Sequence, residues 1–206
     1  MSADPHAASQ PHTIHQTALQ LVDVVSHRRD RLSMRWIHHF DILFLQSLKG
    51  DDSPLGQGLA ALSEVAARLS VEEVAQEFHD LFIGITRGEL LPYGSHYLTG
   101  FLNEKPLAEL RDAMGELGIA RSDAASEPED HIASLFEIMH GMISGDYGKP
   151  VSLVDQFKFF KDHVETWSIK FFEDLEAAKS ARLFMSVGLI GRLFMEIEGE
   201  AFKIAA

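Results

Sequence analysis

Ser126-Glu-Pro-Glu-Asp-His131 gathers three carboxylates and an imidazole into six residues around a proline. Such a set suits a polar binding site, and it equally suits a helix start. Ser126 as N-cap with Glu129 three residues on fits a capping box, and Pro128 wastes no N–H in a first turn. Glu127, Glu129 and Asp130 would then sit at the positive end of the helix dipole. His131 fits less well, because the same dipole disfavours an imidazolium. Either it stays neutral or Asp130 holds its charge.

Other reactive arrangements are thin. Glu137-Ile-Met-His140 has the Glu-x-x-His spacing of di-iron helical bundles, but such a site needs a second copy and two more glutamates. The sequence shows one copy; His12-Thr-Ile-His15 and His38-His39 have no matched partner. Gly-x-Ser-x-Gly and the phosphate-binding Gly-x4-Gly-Lys-Ser/Thr loop are both absent. The residues therefore point to no catalytic group, no metal and no cofactor. Leu81 to Leu98 looks better as a binding element. Leu81, Phe82, Tyr93 and Tyr97 supply apolar surface, and Ser95 and His96 supply hydrogen-bonding groups. They would line a groove for a peptide helix or seal the end of a bundle; both readings stay open.

The elements that must carry these residues read as helices. Apolar steps of three and four place Leu59, Leu62, Val65, Ala66 and Leu69 on one face. Val71, Val74, Phe78, Leu81, Phe82 and Ile85 make a second face, and Leu107, Leu110, Met114 and Leu117 a third. Ile132, Leu135, Phe136, Met139, Met142 and Ile143 make a fourth. Phe157, Phe160, Val164, Trp167, Phe171 and Leu175 line a fifth; Leu183, Val187, Ile190, Phe194 and Ile197 line a sixth. Ser70-Val-Glu-Glu73 is a second capping box. Gly50 to Pro54, Gly84 to Gly94 and Gly141 to Pro150 read as connections. No segment alternates in the manner of a strand, so the fold class is all-α, a single-domain helical bundle over residues 13–206 behind a disordered tail at 1–12.

With 206 residues, 46% of them hydrophobic, the chain can bury a sizeable core. No apolar run approaches the ~20 residues that span a bilayer; Trp36 to Leu48 is broken by His38, His39 and Asp41. No secretory signal is visible, and Arg28-Arg29 lacks a following apolar region. Without cysteine there is no disulfide or thiolate chemistry, and the cytoplasm is the default compartment. The net charge of −13 disfavours nucleic acid and suits a cationic partner.

Taken in order, several stretches resemble the TorD/DmsD-like chaperones of molybdenum-cofactor redox enzymes. They are Glu77-Phe-His-Asp-Leu-Phe-Ile-Gly84, Pro92-Tyr-Gly-Ser-His-Tyr-Leu98, Leu110-Arg111 with Leu117-Gly118, Glu127-Pro-Glu-Asp-His131, and Phe157-x-Phe-Phe-x-Asp-His163 with Trp167 and Phe171. The resemblance implies an all-helical cytoplasmic chaperone, not an enzyme, that binds the twin-arginine signal peptide of an apo molybdoenzyme. It would delay export until cofactor insertion and folding are complete. It also implies a signal-peptide site at Tyr93, Ser95, Tyr97, Glu127, Asp130 and His131, with Leu81 and Phe82 as apolar wall. Carboxylates would take the guanidinium groups in charge-assisted bonds. The chain departs from the family in lacking a proline before Trp167 and a tyrosine in its last helix. A homodimer by domain swapping stays open, with 141–150 as its hinge, and no motif supports guanine-nucleotide binding. The alternative is a metal-dependent helical-bundle enzyme built on Glu137 and His140.

Overall fold

The computed structural model describes residues 44–121 and 127–205, and these are helical with no strand among them. Residues 44–47 are helical. Then come α1 (Pro54–Ala66), α2 (Val71–Phe78), α3 (Gly94–Thr99), α4 (Lys105–Glu116), α5 (Ile132–Ser144), α6 (Leu153–Phe159), α7 (Thr166–Glu176) and α8 (Leu183–Ala205). A π-helical turn, His79–Ile83, extends α2, and another, Phe160–Glu165, joins α6 to α7. The expected tail at 1–12 and the histidine pairs at 12–15 and 38–39 lie outside the described residues.

Local chemistry sets the boundaries. Ser53 caps α1 through its hydroxyl, with Pro54 in the first turn. The Ser70 box forms in both directions: Glu73 N donates to Ser70 Oγ at 3.2 Å and Ser70 N to Glu73 Oε2 at 2.9 Å. The α8 helix is the spine, packed chiefly against α7 and α1. Glycine makes that contact close. A Cβ at Gly188 would lie 2.5 Å from the backbone nitrogen of Glu176, so any side chain there would force α7 and α8 apart.

The apolar stripes fill the core, with Leu62, Leu81, Leu135, Val164, Phe171, Leu175 and Leu183 fully buried. Three stripes overrun. Ile85 is wholly exposed because the second helix ends at Ile83, and Ile143 and Ile197 are 38% and 49% exposed. The glycine-rich connection starts later than its composition predicts: α5 continues through Gly141 to Ser144 and stops at Gly145, whose φ of 86° is left-handed.

A buried carboxylate starts α8. Glu77 is 5% exposed, and its Oε1 accepts from the backbone N–H groups of Arg182 (2.7 Å) and Phe184 (2.8 Å) while Oε2 accepts from Leu183 (3.1 Å). One side chain from α2 thus satisfies the first donors of the longest helix and adds a negative charge at its positive end.

Candidate peptide-binding site

The stretch at 126–131 does not open a helix, as its composition predicts. Ser126 lies outside the described residues, α5 begins at Ile132, and His131 is its N-cap in an extended conformation. Tertiary hydrogen bonds explain the difference. Tyr93 and His131 form an isolated antiparallel bridge, in which Ile132 N donates to Pro92 O and Gly94 N to Asp130 O, each at 2.9 Å. That bridge holds residues 127–131 in a turn and delays the helix.

His131 Nδ1 accepts from Ala133 N at 3.2 Å. An acceptor at Nδ1 must carry a lone pair, so the cap needs the tautomer protonated at Nε2. The neutral imidazole is thereby the form compatible with the helix start. Its ring meets Tyr93 edge to face at 5.1 Å, and the Tyr93 hydroxyl donates to Glu127 Oε2 at 2.5 Å. Tyr93, Glu127 and His131 are all half-buried.

Asp130 plays a different part. It is 3% exposed, and its Oδ2 accepts from Ser95 N at 2.8 Å. Together with its backbone carbonyl it caps α3 from across the bridge, where Tyr93 provides no side-chain cap. Its other oxygen, Oδ1, is buried without a hydrogen-bond partner, as is Ser95 Oγ. Gly94 permits this packing: a Cβ there would lie 2.9 Å from Trp167 Nε1.

Glu129 is 7% exposed and bound by Arg111 in a fork, Nε to Oε1 at 3.1 Å and Nη2 to Oε2 at 2.8 Å. Arg121 Nε stands 4.0 Å from the same carboxylate. Burial works to raise the Glu129 carboxyl, but the Arg111 hydrogen bonds prevail and hold it below its usual range. No role was assigned to either arginine from sequence; a bidentate partner 18 residues away in another helix leaves no spacing signal.

The structure therefore brings Tyr93, Ser95, Glu127, Asp130 and His131 together. Tyr97 is half-buried on α3 and faces α7, with its ring 5.5 Å from Trp167 and 5.9 Å from Phe171; burial, and Asp174 beside it, push its phenol up. Phe82 packs on Phe78 (5.2 Å) and Phe184 (5.6 Å), at the start of α8. Leu81 has 0% exposure and is core, so in this conformation it backs a wall rather than forming one. Glu137 and His140 are exposed on α5, and among the described residues no group of three His, Asp or Glu stands ready to hold a metal. Among them, too, no helix is long and apolar enough to cross a membrane.

Among the described residues the fold is all-helical, and the polar cluster joins two loops through the Tyr93–His131 bridge. Residues 48–173 match the family described as nitrate reductase delta subunit. The chain is 30% identical over 165 residues to the chaperone protein TorD of Vibrio cholerae serotype O1, covering 74% of each chain. It is 26% identical over 168 residues to chaperone protein TorD of Vibrio parahaemolyticus, covering 75% of this chain and 78% of that one. The crystal structure of a putative redox enzyme maturation protein from Archaeoglobus fulgidus superposes with a TM-score of 0.55 over 94% of this chain and 99% of that one; at 18% identity it speaks for the fold. The chain belongs to the TorD-like family of redox-enzyme maturation chaperones.

Proposed function

We propose that this chaperone acts in the cytoplasm, binds the twin-arginine signal peptide of an apo molybdoenzyme, and delays export until the cofactor is inserted and the client folded. The observation that carries this reading is the Tyr93–His131 bridge. It joins the two motifs that the family resemblance links to signal peptides, and it sets Tyr93, Glu127 and His131 at the surface edge of one cluster. Glu127 offers a carboxylate to a guanidinium, and Tyr93 offers an aromatic edge to the apolar part of the peptide. Asp130 and Ser95 hold the loop beneath. Tyr97 and Phe82 extend the apolar boundary, with Leu81 behind Phe82.

Titration of the full chain with a twin-arginine signal peptide and its twin-lysine variant tests the proposal. The arginine peptide should bind more tightly, because a guanidinium fork matches a carboxylate as an ammonium does not. Affinity should fall as salt rises without vanishing. Glu127→Gln should weaken binding with little change in melting temperature. No binding to either peptide, or equal binding to an unrelated basic peptide, sinks the proposal.

A further inference from the structure

Leu98-Thr-Gly-Phe-Leu102 ends α3 and turns the chain toward α4. Its three large apolar side chains face solvent: Leu98 is 46% exposed, Phe101 69% and Leu102 43%. Exposed apolar residues scattered singly are ordinary, but this group is contiguous and makes a patch. The turn beside it is open, since a Cβ on Gly100 would meet nothing within 4 Å.

The backbone of the patch is fixed from the polar cluster. Ser95, whose N–H donates to Asp130, also accepts at its carbonyl from Thr99 Oγ1 at 2.7 Å. The same Oγ1 accepts from Phe101 N at 3.2 Å. Gly100 (φ 84°) and Asn103 (φ 60°) are left-handed and bracket Phe101 and Leu102. Glycine takes that conformation freely, and asparagine more readily than most residues. The exposure is thus built into a hydrogen-bonded turn and is not the fraying of a helix end.

Distance and charge point to what covers the patch. Tyr93 and Gly100 are the two caps of α3, so Phe101 stands about 12 Å along the axis from Tyr93 at ~1.5 Å per residue. About three to four residues of extended peptide cross that gap at ~3.3 Å each. A second copy of the chain is the poorer occupant, because two chains of charge −13 repel each other while a cationic peptide is attracted.

We propose, on the signal-peptide reading, on which this step rests, that Leu98, Phe101 and Leu102 seat the apolar segment of the same peptide whose arginines meet Glu127. The cluster selects the cation, the patch supplies contact area, and Thr99 ties one to the other. An arginine pair joined to a polar segment should therefore bind weakly.

The test uses the full chain and three fluorescein-labelled peptides. They are Gly-Ser-Arg-Arg-Gly-Ser-Leu-Leu-Ala-Leu-Gly-Ser, the same with lysine for both arginines, and the same with serine for every leucine. Anisotropy titration should rank the first peptide tightest. Phe101→Ser combined with Leu102→Ser should weaken it about tenfold, as truncating a central apolar contact does, and leave the serine peptide unchanged. Phe101→Ser alone should act in the same direction, and both variants should keep the preference for arginine over lysine. Both should melt within about 2 °C of wild type, as surface substitutions do. If arginine is preferred but the variants bind the first peptide like wild type, this proposal fails and the signal-peptide reading stands. If the variants lose affinity but arginine is never preferred, the signal-peptide reading fails and takes the named occupant with it. No binding of any peptide sinks both. A melting temperature several degrees lower, or a wild-type dimer in sedimentation that the double variant splits, overturns this proposal alone: the first marks packing within the chain, the second a self-interface.

Discussion

Replacing Glu77 by alanine should be among the most destabilising single changes outside the apolar core. The carboxylate accepts three backbone N–H groups at 2.7–3.1 Å, and two of the donors belong to Leu183 and Phe184, which are 0% and 1% exposed. Water cannot easily replace the lost acceptor there. Each buried donor left without a partner costs about 1–3 kcal/mol. Two of them, with a smaller cost for Arg182 N at the exposed side, give about 3–5 kcal/mol. For a chain of this size each kcal/mol lowers the melting temperature by about 2–4 °C, so the fall should be about 6–20 °C. Glu77→Gln keeps one acceptor oxygen but turns an NH2 toward an N–H donor, and its fall should lie between alanine and wild type. Thermal denaturation followed by far-ultraviolet circular dichroism, with urea titration as a second measure, reads both variants. If Glu77→Ala melts within about 2 °C of wild type, or Glu77→Gln melts below Glu77→Ala, the carboxylate cap is not what holds α2 to the start of α8.

Two further predictions concern pH. Arg111→Ala should destabilise by about 1–2 kcal/mol at pH 7, a figure reduced because the Arg111 side chain is 49% exposed. In wild type the Glu129 carboxyl sits below its unfolded value, so its contribution is present above about pH 4.5 and is lost as pH falls through the lower folded value. Without Arg111, burial dominates and penalises the charged form, so the gap in melting temperature between variant and wild type should hold near pH 7 and narrow as pH falls toward and below about 4.5; a gap that stays constant down to about pH 3.5 refutes this. His163 is shifted the opposite way for a base: burial lowers it, outweighing the opposing pull of Asp162. A base held below its unfolded value of about 6.5 costs stability once the unfolded state begins to take up the proton. The wild-type melting temperature should therefore drop more than that of His163→Gln between pH 7.5 and pH 5, and parallel curves would contradict the assignment.

The helical faces were legible because burial repeats with the helix period; Leu107, Leu110 and Met114 are all under 5% exposed, as their spacing requires. The same pattern misled at its ends. Ile85 continues the periodicity of α2, but the π-helical turn and Gly84 at φ 59° stop the helix first. The motif at 126–131 failed for a different reason. Its capping-box grammar is local, whereas Glu129 is taken by Arg111 and Asp130 by Ser95 N, 35 residues away. Glu77 was visible in the sequence only as part of a resemblance, since a carboxylate that caps a helix 105 residues later has no local signature.

These placements change what the acidic stretch can do for a cationic peptide. Three carboxylates in a row suggest three sites for guanidinium groups, yet the structure engages all three: Glu127 accepts from the Tyr93 hydroxyl, and the other two are held more deeply. Glu129 is gripped by a bidentate Arg111 with Arg121 at 4.0 Å, and Asp130 is sunk beneath the bridge as the cap of α3. On the proposed reading an incoming arginine meets Glu127 at the half-buried edge, sharing it with the Tyr93 hydroxyl, and can reach Glu129 only by competing with Arg111. Such an exchange gives up one fork to make another, so it adds little affinity while demanding the geometry of a guanidinium. On the proposed reading the cluster would be better suited to telling arginine from lysine than to binding tightly, and most of the affinity would fall to the apolar contacts around Tyr93 and α3. On the same reading the long-range charge of −13 would speed the encounter, while the carboxylates at the bridge would decide which cation stays.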